Sequence, residues 1–286
     1  MDTARRVDEH FLADLDEILA WAAERGIKRR TRFHIYRDNI TWLRAHDDEP
    51  DRPRIYAQLS GEGRLTEMLS TMAESIELAE VIPTLRQHGV NIPEELLRRV
   101  FSGPADTFQE DATSNQARNA VFELSMGAMA ARQGLKPTLS MDKPDVAFGF
   151  EGRSIKMECK RVLSENKIVE RLGEGIKYLE KSVQSTTTDI GLVAISLSKL
   201  LNPGDRYLVS EAPHESLSKE VAKALQANEQ GLGAMVRPAV AGFIFYLSSV
   251  AYVPGKGYSP MRAGTFFPLN LDEQPFLRKL ASALRV

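Results

Sequence analysis

Residues 144–160 read Pro-Asp-Val-Ala-Phe-Gly-Phe-Glu-Gly-Arg-Ser-Ile-Lys-Met-Glu-Cys-Lys. An apolar run opens on Asp145, a Glu-Gly pair interrupts it, and a second run carries Glu158 and Lys160 two residues apart. Side chains on a strand alternate between faces. Ile155, Met157 and Cys159 therefore point one way, and Lys156, Glu158 and Lys160 the other. On the first run Val146, Phe148 and Phe150 share a face, opposite Ala147 and Gly149. Glu151-Gly152-Arg153 suits a tight hairpin loop, because Gly takes the positive φ such turns require.

Folding back at that turn brings Asp145 alongside Glu158 and Lys160. Two carboxylates and an ammonium on one hairpin are costly to leave unpaired. Hard oxygen ligands of this kind suit Mg²⁺ or Mn²⁺. Such an ion neutralises charge on phosphoryl oxygens and acidifies a bound water, and a lysine beside it can orient or deprotonate that water. The plain alternative is an amphipathic surface hairpin, since Lys-x-Glu-x-Lys is also an ordinary solvated strand face.

Pro144, Asp145, Glu158 and Lys160 resemble the signature of the restriction-endonuclease-like, or PD-(D/E)XK, nuclease superfamily: Pro-Asp, a variable hairpin, then Asp/Glu-x-Lys. The resemblance implies a mixed α/β sheet flanked by helices. It implies Mg²⁺ or Mn²⁺ held by Asp145 and Glu158, with the Cys159 backbone carbonyl as a further ligand, and Lys160 serving the attacking water. It also implies a nucleic-acid substrate, DNA rather than RNA, and a homodimer as one way of cutting both strands. The family usually adds an acid on the helix before the hairpin. Asn115 to Arg132 has helical spacing, with Val121, Leu124, Ala128 and Ala131 on one stripe and Phe122, Met126 and Met129 widening it. Glu123 lies in its middle and is the candidate third acid, a solvated helix edge being the alternative.

After Lys160, the segment from Ser164 to Ser185 places Ile168, Leu172, Ile176, Leu179 and Val183 on one helical face, and Ile190 to Leu197 is a continuous apolar run expected of a central strand. A helix crossing to a parallel strand is the expected core order. Lys177, Tyr178, Lys181 and Gln184 sit on that helix; Gln184 could reach the site, although solvent is its plainer environment. One branch of the family carries Gln-x-x-x-Tyr here, and this sequence does not.

The first hundred residues read as helices at Phe11 to Ala23, Arg32 to Ala45, Leu65 to His88 and from Pro93, with a loop from Asp47 to Pro53. Gly103-Pro104 breaks the last of them. This divides the chain into a helical domain, 1–104, for substrate, partner or dimer contacts, and a nuclease-like domain, 105–286. Further on, Asn202-Pro203-Gly204 reads as a turn, Ser216 to Asn228 and Gln274 to Leu284 as helices, and Gly242 to Val253 and Thr265 to Leu269 as strands. The basic run Lys28-Arg29-Arg30-Thr31-Arg32, with Phe33, His34, Tyr36 and Arg37 after it, offers phosphate and stacking contacts or simply a solvated helix start.

A formal net charge of −2 argues against coating nucleic acid by bulk electrostatics, while leaving room for local basic patches. One cysteine excludes an internal disulfide and a Cys-rich zinc site. With no secretory signal and no stretch suited to a bilayer, the expectation is a cytoplasmic protein without membrane contact. The competing functional class is a nuclease-fold protein without turnover, acting as a nucleic-acid-binding or protein-interaction module.

Overall fold

The computed structural model describes residues 9–27, 29–46, 52–110, 115–183, 188–201, 208–253, 257–270 and 273–285. Five helices come first: α1 (Glu9–Glu24), α2 (Arg32–His46), α3 (Arg52–Gly61), α4 (Leu65–Gln87) and α5 (Glu94–Phe101). Then follow α6 (Gln116–Arg132), β1 (Thr138–Leu139), β2 (Val146–Phe150), β3 (Arg153–Arg161), α7 (Ile168–Ser182) and β4 (Asp189–Ser196). The chain closes with α8 (Ser198–Leu201), β5 (Leu208–Val209), α9 (Pro213–Gly233), β6 (Gly242–Val253), β7 (Gly257–Pro268) and α10 (Gln274–Leu284). The architecture is α/β, built on an open mixed sheet.

The sheet runs β1-β2-β3-β4-β6, with β5 and β7 also paired to β6. The β2–β3 hairpin turns at Glu151-Gly152, whose φ values are both positive, 45° and 77°. That is the two-residue turn whose twist matches its flanking strands, and Gly152 supplies the second position without a Cβ clash. β3 to β4 and β4 to β6 are parallel steps, bridged by α7 and α9.

Parallel strands covered on both faces need side chains that are apolar all round, and β4 is buried from Ile190 onward. Leu192 and Ala194 join one cluster with α6 and α10, while Val193 and Ile195 join the other, with α7 and α9. The first cluster continues without a break through α4 and α5 to Phe33 and Tyr36 of α2 and Leu15 of α1. Gly191 lets the chain approach closely: a Cβ there would lie 2.1 Å from the Ala239 carbonyl oxygen.

Three sequence expectations change. α3 occupies part of the stretch read as a loop; Pro53 stands in its first turn, where proline is favoured, and not in a break. β7 begins at Gly257, well before Thr265. Pro260 and Gly264 hid it, but β7 pairs only with β6, and an edge strand tolerates both. The basic run divides: Arg29 and Arg30 stay exposed ahead of α2, as a solvated helix start would be, whereas its α2 end is buried. Arg32, Phe33 and Tyr36 are buried, with Arg32 paired to Glu74 at 2.7 Å and Tyr36 donating to the Ala105 carbonyl at 3.0 Å. Lys28, Gln184, the 202–204 turn and most of the 47–53 loop lie outside the described residues.

Candidate active site

Asp145 sits just before β2, between β1 and β3, where the hairpin carries it beside the second half of β3. Its Oδ2 accepts from the Cys159 backbone N–H at 2.8 Å, which pins the carboxylate to the neighbouring strand. Glu158 and Lys160 share a face of β3. Their registers with Val193 and Ile195 turn them toward the α7 side. The Glu158 carboxylate is fully buried, and its Oε2 accepts from Lys160 Nζ at 3.0 Å. Its Oε1 is buried with no hydrogen-bond partner among the described residues. Burial, then the neighbouring charge of Asp145, pushes the Glu158 carboxyl upward despite Lys160 and Lys143.

Lys143, which sequence reasoning did not single out, completes the pair. Its ammonium touches Asp145 Oδ1 and lies 3.1 Å from Glu158 Oε2. One cation is thus shared by the two acids that the hairpin brings together. Burial works against the Lys143 charge, but Asp145 and Glu158 outweigh it and hold the amine well above the usual lysine range. Its position two residues before Asp145 was the available signal. Pro144 between them drew the reading toward a turn.

Glu123 lies near the middle of α6, a helix buried on most sides. It is partly buried, and burial together with the charge of Asp145 raises its carboxyl to about 8. Lys143 and Lys160 pull the other way, so Glu123 sits within the field of the cluster. It nevertheless belongs to the helix on the opposite face of the sheet from α7. Among the described residues no group of three or more His, Cys, Asp and Glu side chains is gathered to hold a metal ion. Of Glu123, Asp145 and Glu158, the last two share the Lys143 ammonium. Cys159 is buried and its thiol is pushed up by burial. Its backbone carbonyl accepts a long bond, 3.4 Å, from Lys160 Nζ.

Tyr178 of α7, an exposed ring, lies beside these lysines. Lys160 Nζ lies 5.2 Å from its centroid, Lys143 Nζ 5.5 Å and Lys181 Nζ 6.0 Å. An aromatic face surrounded by ammonium groups can engage a base and its phosphate. Chemically, the cluster offers oxygen ligands for a hard cation and a lysine beside them.

No family model matches the chain, and neither does a curated protein or a solved structure. Among the described residues no helix is long and apolar enough to cross a membrane.

Proposed function

We propose that the protein is a Mg²⁺- or Mn²⁺-dependent nuclease that hydrolyses phosphodiester bonds, DNA rather than RNA, in a restriction-endonuclease-like fold preceded by a helical domain. The supporting observation is that Asp145, just ahead of β2, and Glu158 of β3 share one cation, the Lys143 ammonium. Groups close enough to share an ammonium suit a divalent ion, and the unpartnered Glu158 Oε1 adds an oxygen with no other commitment. The donor set fits: Asp145 and Glu158 would hold the ion, the Cys159 carbonyl and Glu123 standing by as further oxygens. The metal, when bound, supplies charge neutralisation and a more acidic water.

The remaining steps fall to the chain. Lys160, held at 3.0 Å from Glu158, orients the hydrolytic water or stabilises the charge that grows on the phosphoryl oxygens. Tyr178 and Lys181 position the strand at the entrance. Glu123, whose carboxyl is raised by burial and by the charge of Asp145, lies within the field of the cluster. A cytoplasmic location and a homodimer cutting both strands belong to the same reading.

The test is cleavage of plasmid, linear, single-stranded DNA and RNA substrates with and without Mn²⁺. Activity that persists unchanged in Asp145→Ala or Lys160→Ala sinks the assignment. A second reading, a non-catalytic module, draws support from Lys143 itself. An amine that closes the acid pair stabilises the hairpin without metal. Nucleic-acid binding that survives while calorimetry detects no Mn²⁺ uptake favours that reading.

A further inference from the structure

A cavity of about 100 Å³, with polar and charged groups set among apolar side chains, lies where α4 and α6 meet the carboxyl ends of the central strands. That is well above the roughly 10–15 Å³ needed for one water. It is separate from the acid cluster. Arg161 follows Lys160 on β3 and therefore points to the other face. It registers with Ser196 of β4, and Ser196 with Tyr246 of β6, whose ring packs on Phe122 of α6 at 5.6 Å. In open α/β sheets the carboxyl ends of parallel strands are where ligands collect.

The lining carries three cations, Arg118, Arg161 and Lys199, and two carboxylates, Glu74 and Glu77. Glu74 is neutralised from two sides, by Arg32 at 2.7 Å and Arg118 at 2.5 Å. Glu77 is pushed upward by burial and accepts from Ser125. Arg161 is held by Glu110, and Lys199 donates to the Thr107 carbonyl. The Arg118 side chain is 5 % exposed, and among the described residues its buried Nη1 has no hydrogen-bond partner. Ser198 Oγ accepts from Ser196 Oγ at 3.2 Å and from the Ser248 N–H at 2.9 Å, so its own O–H remains to be given.

Guanidinium, ammonium and hydroxyl groups lining one partly open cavity are the recognition set of a phosphoryl group. We propose that this cavity binds a phosphoryl group, as inorganic phosphate or as a phosphomonoester, at the junction between the N-terminal helices and the sheet. Thr107 and Glu110, which tie the loop after α5 to Lys199 and Arg161, place that loop over the site. Ligand binding therefore bears on how the first helices seat against the sheet.

The experiment is calorimetric titration of the full chain with sodium phosphate against sodium chloride of equal ionic strength. Phosphate binds saturably with half-saturation at about 1 mM or below. Ser198→Ala and Lys199→Gln each weaken it about tenfold, while their circular dichroism and melting curves stay native. Glu158→Gln, in the acid cluster, leaves phosphate binding intact, which separates this site from the proposed nuclease centre. A 5′-phosphorylated oligonucleotide and its 5′-hydroxyl twin distinguish the source. Preference for the phosphorylated one, lost in the same two variants, assigns the site to a nucleic-acid end; equal binding of the two assigns it to free phosphate. No saturable uptake of phosphate, or uptake unchanged in both variants, overturns the proposal.

Discussion

Replacing Lys143 by methionine separates the two things its ammonium does. The amine is 33 % exposed on its side chain, whereas Asp145 and Glu158 are 5 % and 0 % exposed on theirs. At 3.1 Å from Glu158 Oε2 and an effective dielectric constant of about 20, Coulomb's law gives an attraction of about 5 kcal/mol. Desolvation and the partial exposure of the amine offset most of it, leaving a net loss of about 1–3 kcal/mol. A chain of this length loses about 2 °C per kcal/mol, so the metal-free Lys143→Met protein melts about 2–6 °C lower. The affinity for Mn²⁺ moves the other way. A divalent ion entering the wild-type pair must displace the amine; in Lys143→Met that competitor is gone, and only Lys160 still holds Glu158. The same 1–3 kcal/mol then appears as about 5- to 150-fold tighter binding by calorimetry. Saturating Mn²⁺ restores the melting temperature of the variant to the wild-type value or above. An unchanged metal-free melting point together with weaker Mn²⁺ binding refutes the shared-cation reasoning.

Glu74→Ala leaves the buried Arg32 and Arg118 guanidiniums without their common anion and destabilises the protein by about 3–5 kcal/mol, read in urea melts. The pH dependence of that pair has a definite sign. Burial alone would raise Glu74, but Arg118 and Arg32 outweigh it and hold the carboxyl below the usual glutamate range. Its contribution is therefore fully present above the unfolded value of about 4.3 and lost as the pH falls through the lower folded one; melts of Glu74→Gln show a shallower loss of stability in that acid window. Gly191→Ala drives a methyl onto the Ala239 carbonyl oxygen, 2.1 Å away, and costs about 3 kcal/mol or more, seen as loss of soluble folded protein. Tyr178→Ala raises the KM for a single-stranded oligonucleotide about tenfold with kcat little changed, and Tyr178→Phe, which keeps the ring, stays near wild type. A kcat loss with unchanged KM in Tyr178→Ala counts against an entrance role.

The hairpin was legible because its instructions are local. Alternation put Glu158 and Lys160 on one face, and Glu151-Gly152 set the turn that returns Asp145 to Cys159. The same locality made α6, α7 and β4 readable from spacing alone. What escaped was set by distance in the chain. Arg32 looked like a surface cation because its counter-ion, Glu74, lies 42 positions away on another helix. β7 carries breakers that only its edge position explains. The cavity beside Arg161 could not be read at all, since its donors come from α6, β3, α8 and β6.

Lys143 shows why the site was the harder part. A pattern of acids and one lysine specifies where charge is concentrated, and not which cation answers it. Asp145 and Glu158 cannot both stay ionised and buried without a positive partner. The fold meets that need from within the same hairpin. The competition between Lys143 and a divalent ion for one pair of carboxylates is then the physical choice between a locked hairpin and a hydrolytic centre. Relative affinity for that pair, more than the presence of the acids, decides which of the two the protein uses.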